Sequence, residues 1–175
     1  MDNDLGFGYN LENPLDALEE MISLKHWPCS RSNRDELVAE IQSSLCPYRL
    51  YFSWSEDINV INFTITFDLK IPNIMKPQIY ELLARINERL WIGHFDVTSK
   101  TGIPAYRNTF FLKDKSVENI NFLEDLVDVG ISECEKFYPS FQMVLWEEYS
   151  PSIAVSWCLM EVKGRAYPLH LFFLF

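Results

Sequence analysis

The sequence predicts an α+β fold: a mainly antiparallel sheet of about five strands with helices packed on one face, in the order α-βββ-α-ββ-α-α. Three observations predict it. Ile61–Ile71 alternates strictly, with Ile61, Phe63, Ile65, Phe67, Leu69 and Ile71 on one side and Asn62, Thr64, Thr66, Asp68 and Lys70 on the other. That is a strand with one buried and one wet face. Lys76–Phe95, KPQIYELLARINERLWIGHF, changes from helical to strand period within one stretch, so a helix packs on a sheet and leads into its next strand. Strands and helices come in mixed runs rather than in regular βαβ units, which sets the fold apart from doubly wound parallel sheets.

Residues 1–12 are polar with two glycines and read as a flexible lead-in. Asn13 then caps a first helix, with Pro14 at its first position, Asp16 in its first turn and Leu15, Leu18, Met21 and Ile22 on one face. Trp27-Pro28 ends it after His26. Glu36–Gln42 alternates like a strand, although its acidic residues also suit a helical turn; the strands that follow need a neighbour, which favours a strand. Tyr48–Trp54 puts Tyr48, Leu50, Phe52 and Trp54 on the core side. The polar turn Ser55–Asn59 joins it to Ile61–Ile71 as a hairpin.

The central helix begins at Pro77 and carries the stripe Ile79, Leu82, Leu83, Ile86 and Leu90, with Gly93 as its stop. Gly93–Ser99 and Ala105–Leu112 form a second hairpin, with Tyr106, Phe110 and Leu112 inward. Ser116 opens a third helix whose buried stripe is Ile120, Leu123, Val127, Gly130, Ile131, Cys134 and Tyr138, and Tyr138-Pro139 is expected to end it. Phe141–Trp146 fits either period. SPSIAVSWCLMEV is a final helix stopped by Gly164, and Tyr167–Phe175 is an apolar tail.

Composition bounds the function. A chain of 175 residues can bury about 70% of its unfolded surface and needs neither metal nor disulfide to fold. Thirteen Phe and eight Tyr suit a sheet-based core. A net charge of −10 disfavours nucleic acid and anionic membranes as partners, and it favours solubility. Cys29, Cys46, Cys134 and Cys158 form no CxxC pair and no zinc-like cluster. With no basic-then-apolar leader and no apolar run of about 20 residues, the expectation is a cytoplasmic protein with free thiols, no cofactor and no metal.

No catalytic constellation stands out. Asn87, at the edge of the helix stripe, reads as an amide that bonds backbone where helix meets sheet; its functional reading is ligand contact. His94 and Asp96 share a strand face, and no third ligand accompanies them. Glu118, Asp125, Asp128 and Glu135 form an acidic stripe that reads as a solvated helix face, with a basic partner as the alternative. The wet sheet face is the candidate interaction surface. Arg49, Tyr51, Thr64, Thr66, Arg107, Thr109 and Phe111 fall on it, and Tyr and Arg on such a face are what interfaces favour.

Taken together, NPLD, HWP, CPYRLYFSWSED, FDLKIP, ELLARINERLWIGHFDV, AYRNTFFL and ECEKFYPSFQMVLW resemble the YbjN family, described as bacterial sensory transduction regulators. The resemblance covers residues 13–163 as a single YbjN-like α+β domain, leaving 164–175 as the tail; the family usually ends soon after the final helix. It implies a fold similar to type III secretion chaperones, often dimeric and binding partner polypeptide, with no established catalysis, cofactor or catalytic residues. The expectation is therefore a non-enzymatic regulatory or chaperone-like module that binds a protein partner or a second copy of itself. The alternative is a small-molecule sensor or an unrecognised enzyme with a pocket near Asn87, Trp91, His94 and Asp96.

Overall fold

A computed structural model of the chain describes residues 13–112 and 117–161, without the side chains of 117–120 and 161. The expected lead-in 1–12, the Ser116 cap, the side chains of Glu118 and Ile120, the Gly164 stop and the apolar tail lie outside the described residues.

The elements are α1 (Pro14–Leu24), β1 (Cys29–Asn33), β2 (Glu36–Gln42), β3 (Pro47–Ser55), β4 (Val60–Phe67), a 3-10 turn (Asn73–Met75), α2 (Lys76–Asn87), β5 (His94–Val97), β6 (Pro104–Phe111), α3 (Val117–Trp146) and α4 (Pro151–Glu161). The strands form one antiparallel sheet in the order β1-β2-β3-β4-β6-β5. The helices lie over one face, and α4 packs on α2 and α3.

The α+β expectation holds, with six strands rather than five. The added strand, β1, reads CSRSN. None of its residues is buried, so it carries no apolar alternation; only backbone pairing to β2 defines it. Asn13 caps α1 as expected: its Oδ1 accepts from the Leu15 amide at 2.9 Å, and its Nδ2 donates to the Arg34 carbonyl at 2.7 Å.

Several boundaries differ from expectation. β4 ends at Phe67, although Leu69 and Ile71 remain buried beyond it. α2 ends at Asn87 rather than near Gly93, because the Asn87 side chain turns to the next strand and the Arg89 and Leu90 amides close a tight turn onto Ile86 and Asn87. Gly93 lies just before β5.

α3 runs straight through Pro139 to Trp146. A proline inside a helix removes one backbone hydrogen bond and costs about 3 kcal/mol. Here Cys134, Phe137, Tyr138, Phe141 and Val144 continue one buried face across the break. Tertiary burial outweighs local propensity.

Leu37, Leu50, Phe52, Ile61, Phe63, Ile65, Phe95 and Tyr106 fill the core from the sheet side. At its centre Phe67 meets Tyr138 and Phe141 edge-on, at 5.6 Å and 5.5 Å between centroids, and Phe95 meets Tyr106 at 5.4 Å. Gly130 lets α3 approach the sheet: a Cβ there would lie 2.9 Å from Tyr106 Cε1 and 3.1 Å from Ile65 Cδ1.

Candidate functional site: the open sheet face

Strict alternation sends every second strand residue away from the helices, and the register aligns them across the sheet. Arg49 stands opposite Thr66 and Tyr51 opposite Thr64. Thr64 stands opposite Arg107, Asn62 opposite Thr109, and Val60 opposite Phe111. All seven residues expected on the wet face therefore lie on it. Tyr51 is 39% exposed and Phe111 68% exposed.

Cross-strand polar contacts order the face. Arg49 donates through Nε and Nη2 to Glu40 Oε1, at 3.2 Å and 2.9 Å. Arg107 Nε lies 3.1 Å from Asp96 Oδ2, and its Nη1 lies 3.5 Å from Thr64 Oγ1. Thr109 Oγ1 donates to Asn62 Oδ1 at 2.7 Å. Both ion pairs are solvent-exposed and contribute at most about 1 kcal/mol, so a partner can compete for either guanidinium at little cost. Glu40 and Asp96 as partners of these arginines were not foreseen: Glu40 faces Arg49 directly and Asp96 lies diagonal to Arg107, and reading either requires the register.

The face is concave on both sides of Tyr51. A depression of about 440 Å³ is lined by Glu40, Arg49, Tyr51, Thr66 and Asp68 among others, and one of about 260 Å³ by Glu36, Val38, Tyr51, Asn62 and Thr64 among others.

The alternative group does not converge. Asn87 Nδ2 donates to the Phe95 carbonyl at 3.0 Å, and its Oδ1 accepts from the Phe95 amide at 2.7 Å, so the amide clamps α2 to β5. Trp91 is fully exposed. His94 and Asp96 flank Phe95 and so point to the opposite face of the sheet from the Phe95 ring. Asp96 is engaged by Arg107 and by the Val97 amide.

In the acidic stripe, Asp128 pairs with Lys25 at 3.1 Å and Glu135 accepts from Ser43 at 3.0 Å, while Asp125 is exposed. Cys46, Cys134 and Cys158 are buried and Cys29 is exposed. Burial pushes the Cys46 and Cys134 thiols up, away from the reactive thiolate. Among the described residues no three His, Cys, Asp or Glu side chains are grouped to hold a metal, and no helix is long and apolar enough to cross a membrane.

Fold and face together define a helix-backed single-sheet α+β protein in which, among the described residues, no element covers the second side of the sheet. The family model described as "Putative bacterial sensory transduction regulator" matches residues 14–143, and the chain belongs to this family, YbjN. No curated protein matches the chain. No solved structure matches it either.

Proposed function

We propose that the protein is a non-enzymatic, cytoplasmic regulatory or chaperone-like module whose open sheet face holds a segment of partner polypeptide, a second copy of the chain being one such partner. The observation that carries this reading is that Tyr51, Phe111, Arg49 and Arg107 share a sheet face that none of the described helices covers, with Tyr51 and Arg107 in one cross-strand row through Thr64. Exposed aromatics anchor interfaces, and arginines beside them pair with backbone carbonyls or carboxylates. The family resemblance, which implies a fold similar to type III secretion chaperones, supports the same mode. Nucleic acid and membrane are not among the expected partners, since the acidic charge opposes both. The alternative of a sensor or enzyme pocket between α2 and the sheet gains no support from Asn87, Trp91, His94 and Asp96, which face different surroundings.

The test places a photo-crosslinking residue at Tyr51, at Phe111 and, as a control, at the exposed Ile74. Adducts of one defined mass from positions 51 and 111, absent from 74 and lost in Arg49→Glu/Arg107→Glu, are expected; a self-adduct together with a dimeric mass in light scattering would identify the second copy as the occupant. Equal labelling from all three positions would count against the open face.

A further inference from the structure

The connection between β4 and α2 meets the turn between β5 and β6. The Ile71 amide donates to the Gly102 carbonyl at 2.8 Å, and the Gly102 amide to Thr98 at 2.7 Å. Gly102 has φ +72°, and a Cβ there would come within 2.7 Å of the Ile71 carbonyl oxygen, so only glycine lets the two backbones meet this closely. The Lys76 ammonium donates to the Ser99 carbonyl at 3.2 Å and ties the same segments together. Between them lies a cavity of about 430 Å³ lined by Lys70, Lys76 and Lys100 with Asn73 and Thr101; no carboxylate lines it.

The charge here runs against the rest of the molecule. The chain has 25 acidic and 15 basic residues. Among the described residues Lys25, Arg31, Arg49, Arg85, Arg107 and Lys136 each contact a carboxylate. The three cavity lysines do not, although acids are in excess. Arg34 and Arg89 also lack a carboxylate partner, but neither lines this cavity. Three ammonium groups around one concavity with no carboxylate among its lining raise the positive potential there, which favours an anion. The concavity is open to solvent and larger than a single water. Compact ammonium groups beside an amide and a hydroxyl match phosphoryl oxygens.

We propose that Lys70, Lys76 and Lys100 form a binding site for a small phosphorylated anion, in the cavity between the β4–α2 connection and the β5–β6 turn. The site adjoins the open-face depression that Arg49, Tyr51 and Asp68 line but shares no lining residue with it.

The test titrates the full chain with pyrophosphate at constant ionic strength, read by amide NMR shifts and calorimetry. The variants are Lys70→Glu/Lys100→Glu, the milder Lys70→Gln/Lys100→Gln, and Arg89→Glu as a cation outside the cavity. Saturable shifts centred on Asn73, Ser99, Thr101 and Gly102 are expected, weakened about tenfold or more by the charge-reversed pair and unchanged in Arg89→Glu. Non-saturating shifts spread over surface cations, or equal weakening in Arg89→Glu, would overturn the proposal. A second arm offers phosphatidylcholine vesicles containing phosphatidic acid. Binding to these without any response to pyrophosphate would assign the phosphate to a lipid headgroup and overturn the small-anion site.

Discussion

Asn87 shows how one amide can join two elements. It satisfies both the N–H and the C=O of Phe95, so removing it strands two partly buried backbone groups. Asn87→Ala is expected to cost about 1–3 kcal/mol in urea unfolding; a change within error would mean water replaces the clamp. The backbone-bonding role of Asn87 was legible from its place at the edge of an apolar stripe. Its partner was not, because that depends on where the helix stops. The buried phenols give a second prediction. Burial pushes Tyr106 up to about 12 and Tyr138 up to about 12, above the ordinary value near 10 for a free tyrosine. Between these values the unfolded chain releases protons that the folded chain retains, so stability is fully present below pH 10 and falls as pH rises toward 12. The loss should be on the order of 1–3 kcal/mol per phenol. Urea midpoints measured at rising pH, beside phenolate absorbance, would show it; midpoints flat across that window would contradict it.

At the level of elements, α3 carries the least forgiving contact. Gly130 leaves no room for a methyl group against Tyr106, Ile65 and Phe63. Gly130→Ala should therefore destabilise the fold by about 1–3 kcal/mol despite the better helix propensity of alanine; a stabilised variant would show that α3 can lift off the sheet at no cost. The strands β3 and β4 were legible because each buries one face, so alternation marks them, whereas β2 was read as a strand only through its neighbours. β1 buries neither face and left no pattern. The passage of α3 through Pro139 was illegible for the converse reason. A local breaker is visible in sequence, whereas the packing that overrides it comes from distant strands. The open face was legible in composition and side, because strand parity alone decides both. Its Arg49–Glu40 and Arg107–Asp96 pairings and the lysine-lined cavity were not, since they depend on register and on a loop meeting a turn far away in sequence.

For the molecule as a whole, the burial of three thiols and the exposure of one is a simple readout of native packing. In the native state, alkylation should label Cys29 rapidly and leave Cys46, Cys134 and Cys158 untouched until unfolding. Early labelling of Cys134 would indicate that α3 opens independently of the sheet. The sheet order also has a consequence in time. β1 through β4 are joined by short turns, and each pairs with its neighbour in sequence. The β4–β6 seam instead joins Thr66 to Ala105 and Val60 to Phe111, across everything between them. Closing so long a loop is entropically slower than closing a hairpin. During refolding, amides of β3 are expected to gain hydrogen-exchange protection before those of β6, and simultaneous protection would refute this order. On a ribosome the same asymmetry means that the first four strands can assemble as a half-sheet, with β4 as its unpaired margin, while the strand that closes that margin is still being made.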